Sequence, residues 1–245
     1  MSSASRFGLW LVGCLLVVGM SGSEGWANFI DVVDTRDGVQ SYGWELPKTI
    51  TVYIPNEIAG GDKDNFKMGV SAWVACLPGL TIEYKDGEPE AGADCFVDIN
   101  VTSADPPFPA GSPPPYAIGG GFVPDPYPAD KDHVFIDEGV ISIHPDALGH
   151  SGVAGSFMKN LGAHEFGHIL GLDDDRRTEG DRKHVMDPDF RLIDDGMGNV
   201  IRADPFLSPS ARDKMMLSKH YTVVPTPSGL AGLVLLGLVG MSRRG

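Results

Sequence analysis

Residues 161–175 read Leu-Gly-Ala-His-Glu-Phe-Gly-His-Ile-Leu-Gly-Leu-Asp-Asp-Asp. His164 and His168 are four residues apart, so on a helix both imidazoles project from one face and can share a metal ion. Neutral imidazole nitrogen suits zinc. Glu165, adjacent to the first histidine, can reach a water on that metal without being a ligand. There it can take the proton of an attacking water and hand it to a leaving amine. Gly171 lets the chain turn sharply out of the helix, and Asp174, three residues on, can swing back as a third ligand. Asp173 and Asp175 flank it, so spacing alone selects Asp174. A core helix with hydrogen-bonded histidines would explain the pair, but not the glycine and aspartate at these distances.

The surrounding pattern is mixed. A helix is expected over Val153–Leu170, with Phe157, Leu161, His164 and His168 on overlapping faces. Upstream, His133–Ile143 reads as a strand kinked at Gly139. Between Asp105 and Pro128 lie nine of the nineteen prolines, so that stretch reads as a long surface loop, with Ala117–Val123 as a short edge strand against it. Thr49–Ile54, Leu80–Tyr84 and Cys95–Val101 read as strands. Asp62 is placed to cap a helix running to about Cys76, with Phe66, Val70, Trp73 and Leu77 on one stripe and Pro78-Gly79 ending it. Downstream, Ser208-Pro209 reads as a cap and first helical residue opening a last helix to about His220. The alternation predicts one mixed α/β (α+β) layered domain.

The ends read as processing segments. Arg6 precedes the apolar run Phe7–Met20 and the small, polar SGSEGWA, the pattern of a secretory signal peptide over 1–27, with Gly25 and Ala27 suiting cleavage before Asn28. Leu11-Val12-Gly13-Cys14 is a competing lipoprotein box, against which stand the apolar and Gly residues after Cys14. Near the C-terminus, Pro225-Thr226-Pro227 leads into Leu230–Met241 and then Arg243-Arg244. Twelve residues fall short of the roughly twenty a membrane span needs. The order of breaker, apolar run and basic end fits transient membrane contact with the basic end inside.

The chain carries 19 Lys and Arg against 33 Asp and Glu, a formal net charge of −14, which argues against nucleic-acid partners. Without the ends, which contribute three Arg and one Glu, the segment 28–221 keeps 16 basic and 32 acidic residues. Cys14 leaves with the signal peptide. In an oxidising compartment the default for Cys76 and Cys95 is a disulfide, closing a loop worth roughly 3 kcal/mol on the chain-entropy model.

The stretch at 161–175 resembles the metzincin zinc endopeptidases and, within them, the matrixins. Their long motif HExxHxxGxxH/D matches His164, Glu165, His168, Gly171 and Asp174. Most matrixins have His in the last place; Asp there is similar to snapalysin-like bacterial enzymes and would weaken the zinc's pull on its water. His184-Val185-Met186-Asp187-Pro188 resembles the Met-turn, in which the Met186 side chain underlies the metal; Pro188 stands where astacins carry a zinc-binding Tyr. His184 is a rival third ligand. By the same resemblance, Asp187 to Arg191 help shape a specificity pocket. Phe66–Leu80 is similar to the family's first helix and Phe206–Ala211 to the opening of its last.

Ile118 to Glu138 resembles the matrixin segment that holds structural zinc and calcium. Its upstream His-x-Asp pair is missing, and Phe135 sits where an Asp ligand would be. His133, Asp125, Asp130, Asp132, Asp137 and Glu138 remain. Carboxylates suit calcium; a solvated acidic loop is the alternative. The C-terminal run resembles PEP-CTERM sorting tails, with Thr226 where that family has Glu, and implies processing by an exosortase.

The resemblance implies a zincin/metzincin fold, a mixed twisted sheet with an active-site helix and a C-terminal helix. It divides the chain into a signal peptide (1–27), a catalytic domain (28–221, an N-terminal subdomain to about 171 and a C-terminal one over 172–221) and a sorting tail (222–245). The expected activity is an exported zinc endopeptidase acting on protein or peptide substrates at the surface, in the outer envelope or outside a bacterium. One catalytic zinc is held by His164, His168 and Asp174, with Glu165 as general base and acid. Signal peptidase and an exosortase would meet the chain during export, and both termini would touch the membrane transiently. No Cys between Asn28 and the first expected strand could serve a cysteine switch. The rival is a non-catalytic, acidic, calcium-binding envelope protein on the same scaffold. A zinc hydrolase of peptidoglycan crosslinks is a second enzymatic alternative.

Overall fold

A computed structural model describes residues 32–35, 38–103, 117–121, 133–174, 185–187, 192–195, 197 and 200–223. The expected leader, 1–27, and all of the expected tail after Val223 therefore lie outside the described residues. Among those residues, no helix is long and apolar enough to cross a membrane.

The architecture is mixed α/β. β3 (Lys48–Ile54), β4 (Leu80–Asp86), β5 (Phe96–Val101), β6 (Ala117–Gly121) and β8 (Glu138–Ile143) form one five-stranded sheet in the order β4-β3-β5-β8-β6. The first four strands of that order run parallel, whereas β6 is antiparallel to β8 and forms the edge. Helix α1 (Gly60–Ser71) makes the crossover from β3 to β4, as parallel pairing requires. Helix α2 (Ser151–Ile169) follows β8, and helix α3 (Ala211–Val223) ends the described chain.

β-branched alternation aims Ile50, Val52 and Ile54 of β3, Val97 and Ile99 of β5, and Ile141 and Ile143 of β8 inward. They share one buried cluster with Phe66 and Val70 of α1 and Phe157, Leu161 and Phe166 of α2. The expected stripe Phe66, Val70, Trp73, Leu77 is buried throughout. Where the two helices cross, a Cβ on Gly162 would sit 2.6 Å from Phe66 O, so the backbones meet without side chains between them. Just past α1, Trp73 Nε1 donates to Ala163 O at 2.7 Å, tying it to the residue before His164.

Several expectations are corrected. Helix α1 stops at Ser71 rather than near Cys76, and the chain goes on through turns. Asp62 does not cap it; Ala59 is the N-cap residue. Asp62 is instead buried in the first turn and accepts from Gly149 N–H at 2.6 Å, joining the starts of α1 and α2, where a carboxylate is favoured by both helix dipoles.

The strand expected over 133–143 is two: β7 (His133–Phe135) and β8 part at Ile136-Asp137 rather than bending at Gly139. β7 pairs in parallel with β2 (Gly38–Gly43), which also pairs antiparallel with β1 (Val32–Thr35). Sequence patterning missed β1, β2 and the hairpin of β9 (Leu192–Asp194) and β10 (Val200–Ala203), which lies against α2. α3 begins two residues later than expected. Ser210 Oγ accepts from Asp213 N–H while Asp213 accepts from Ser210 N–H, a reciprocal cap.

The expected Cys76–Cys95 disulfide is not formed, and both thiols are free. Each is directed to a different partner: Cys76 Sγ donates to Ala72 O at 3.4 Å within the turn after α1. Cys95, left-handed at φ 56° just before β5, turns its Sγ toward Asp137 Oδ1 at 3.7 Å.

The outward face of the sheet carries a pH-sensitive carboxyl. Asp98 on β5 is half-buried, and burial, then the charges of Glu88 and Glu138, push its pKa up to about 6 from 3.8. The folded state thus holds this proton more tightly than the unfolded chain does. Ionisation costs stability in full above about pH 6, and the cost fades as pH falls toward 3.8. Asp98→Asn should melt at a higher temperature than the parent at neutral pH, with the gap closing below about pH 4; a pH-independent gap would count against this account.

Candidate metal centre

Helix α2 carries His164, Glu165 and His168 into the space between the sheet edge β6 and the chain that follows the helix. The helix is kinked early, at Ala154 (φ −137°, ψ 41°), and runs from there to Ile169. It ends on Gly171, left-handed at φ 88°, with Gly171 N–H donating to His168 O at 2.9 Å and Leu172 N–H to Gly167 O at 3.0 Å. A Cβ on Gly171 would stand 2.6 Å from Tyr42 O and 2.9 Å from His220 Nε2, so the turn accepts only glycine. The reversal returns Asp174 to the two histidines.

His164 Nε2 and His168 Nε2 lie 3.2 Å apart, and Asp174 Oδ1 is 3.3 Å from the first and 3.4 Å from the second. Each imidazole is held from behind. His164 Nδ1 is 2.9 Å from Val185 O, and His168 Nδ1 is 2.7 Å from Leu172 O. A carbonyl only accepts, so both Nδ1 atoms carry the proton, and in the neutral rings both Nε2 lone pairs point at one another and at the carboxylate. Asp174 Oδ1 is buried and receives no hydrogen bond. Three electron-pair donors with no hydrogen among them repel unless a cation stands between them or an imidazole is protonated. Burial pushes the Asp174 carboxyl up, but the influence of the adjacent His164 and His168 outweighs it and holds the carboxyl well below the usual carboxylate range. The donor set fits a metal: these three residues form a group that could hold an ion, and it is the one such group among the described residues.

Glu165 is buried beside this group and outside it. Burial is the strongest influence on its carboxyl and pushes it up. The charges of His164 and His168 and a hydrogen bond from Gly119 N–H pull it down without cancelling the rise, to which Asp174 adds. Gly119 belongs to the edge strand β6, so that strand lies directly over the carboxyl. Beneath the helix, the turn at Val185-Met186 supplies the carbonyl that orients His164. Met186 is fully buried, its sulfur against Gly167, where a Cβ would collide with it.

The structure thus brings His164, His168 and Asp174 together, with Glu165 alongside and Met186 behind. Asp173 turns its Oδ1 to the backbone N–H of Asp174 at 2.7 Å, and among the described residues Asp174 is the aspartate grouped with the two histidines. Asp137 is largely exposed and pairs with Lys48 Nζ at 3.2 Å; Glu138 is exposed on β8, and neither joins a metal-ligating group among the described residues. Asp125, Asp130, Asp132, Asp175, His184 and 188–191 lie outside the described residues.

The participants missed from sequence are backbone groups, the carbonyls of Leu172 and Val185 and the N–H of Gly119, which carry no residue-type signal. No protein-family model and no curated protein matches the chain.

Proposed function

We propose that the chain is an exported zinc-dependent endopeptidase of zincin type. The observation that carries this reading is the convergence of His164 Nε2, His168 Nε2 and Asp174 Oδ1 at 3.2–3.4 Å beside a buried glutamate. Zinc favours tetrahedral sites of nitrogen and carboxylate oxygen at roughly 2.0–2.1 Å, in which neighbouring ligands stand about 3.3–3.4 Å apart. The spacing here supports that ion, held by His164, His168 and Asp174, with three protein ligands leaving one position open. Bound there, zinc would supply Lewis acidity to a water and to a scissile carbonyl.

The protein's own groups do the rest. The carbonyls of Val185 and Leu172 hold the imidazole tautomers with Nε2 free to ligate. Glu165, its proton affinity raised by burial, takes a proton from the nucleophilic water and returns it to the leaving amine. A carboxyl tuned upward toward the working pH does this better than an ordinary one. The Gly119 N–H holds the carboxylate in place. Among the described residues β6 pairs only with β8, and its other edge offers backbone groups to an extended peptide by strand addition. The apolar leader and the C-terminal run with its paired arginines support export and surface delivery.

Metal analysis and a peptidase assay on the purified protein test the proposal together. About one zinc per chain is expected, with cleavage of a casein-like substrate that a chelator abolishes and added zinc restores. Zinc-free protein that takes up calcium, or zinc-loaded protein that cleaves no peptide, would refute it.

A further inference from the structure

The last four carbonyls of an α-helix have no partner inside the helix and are a natural place for strain or slack. At the end of α2, all four are taken. Gly167 O accepts from Leu172 N–H and His168 O from Gly171 N–H, within the glycine turn. The remaining donors are aromatic side chains from distant parts of the chain. Tyr42 Oη, at the end of β2, donates to His168 O at 2.8 Å. Trp44 Nε1, two residues on, donates to Ile169 O at 2.9 Å. Tyr221 Oη, from α3, donates to Leu170 O at 3.2 Å and accepts from Trp44 N–H at 3.4 Å. His220 on the same helix hydrogen-bonds Tyr42 O at 2.8 Å. Trp44 is fully buried and Tyr42 nearly so.

Three consecutive carbonyls, 168 to 170, are therefore gripped from outside the helix, in the one turn that both carries a metal ligand and launches the loop to another. His168 is held twice, its carbonyl by Tyr42 and its ring by Leu172 O, only two residues past the carbonyl that Tyr221 holds. Rotating the Leu170 peptide would move both Leu172 O and the start of the path to Asp174.

We propose that Tyr42, Trp44 and Tyr221 are positioning residues for the metal centre: they set the peptide planes at the end of α2, and through them the orientation of His168 and Asp174. This rests on the reading of His164, His168 and Asp174 as metal ligands, and not on peptidase activity.

Tyr42→Phe and Tyr221→Phe each keep the packed ring and remove one hydroxyl. Zinc affinity is measured on the full chain by competition with a chromophoric chelator, together with the visible spectrum of the cobalt-loaded protein and the melting temperature without metal. Tyr84→Phe is the control, since Tyr84 Oη also donates to a helix carbonyl, Lys67 O at 2.9 Å, but on α1.

Each of the two variants should bind zinc about tenfold more weakly, the lower end of what loss of a ligand-orienting partner costs. Each should also shift the cobalt bands, and the control should do neither. Parental affinity and spectrum in both variants, with only the metal-free melting temperature lowered, would overturn the proposal. Should either variant fail to fold, the other and Trp44→Phe carry the same test. A parent protein that binds no metal overturns the ligand reading and this inference with it. A parent that binds metal but cleaves nothing overturns the peptidase reading alone.

Discussion

Glu165→Ala should abolish peptide hydrolysis while leaving about one metal ion per chain. Glu165 lies outside the group formed by His164, His168 and Asp174, so removing it deletes no ligand atom. What it deletes is the buried carboxyl whose proton affinity the site raises. Loss of a general acid–base group costs roughly 10²–10⁴-fold in rate, and with one group serving both proton transfers the upper part of that range is expected. Because the side chain is buried under Gly119, truncation also opens space beneath β6. Glu165→Gln keeps the volume and an acceptor for the Gly119 N–H but cannot take up the proton, and should be as inactive as the alanine variant. Steady-state rates on metal-replete proteins decide the matter, and hydrolysis near the parental rate in either variant would remove Glu165 from the chemistry.

The second large effect is expected at the third ligand. Asp174→Ala should weaken metal binding by more than the roughly 10–100-fold that loss of a supporting partner costs, because it removes an oxygen that stands 3.3–3.4 Å from both imidazole nitrogens. Asp173→Ala is the informative neighbour. Its carboxylate holds the backbone N–H of Asp174 and is not part of the group that could hold the metal, so its loss should loosen the loop and cost far less. Metal titrations of the two variants side by side distinguish them. Equal losses, or an Asp174→Ala protein that retains parental affinity, would contradict the assignment of Asp174.

Much of the site was legible because its side chains lie close together in sequence. Helical spacing alone puts His164 and His168 on one face, and Gly171 announces a turn that only glycine accepts. The edge strand at Ala117 was also readable despite the prolines around it. The errors share a physical origin. Asp62 looks like a cap from its position and composition, but the start of a second helix, 87 residues later in the chain, offered its carboxylate a buried N–H. Cys76 and Cys95 are the two cysteines outside the expected leader, and counting paired them. The turn after α1 offers Cys76 the carbonyl of Ala72, and the link between β7 and β8 offers Cys95 the carboxylate of Asp137. β1, β9 and β10 are only three or four residues long, too short for patterning to show, and β2 is fixed by pairing with β7, far along the chain.

By itself, the sequence determined the candidate ligand types, their helical face, the acid beside them and the sharp exit that allows a third candidate ligand, since all of these follow from local geometry over fifteen residues. Only the tertiary structure decided that Asp174 reaches both histidines, which carbonyls hold the imidazole tautomers, and that β6 lies over Glu165. It also decided that the end of the helix is gripped by aromatic side chains from near both ends of the described chain. Those features depend on backbone groups and long-range packing, which leave no mark in the order of residue types around the site.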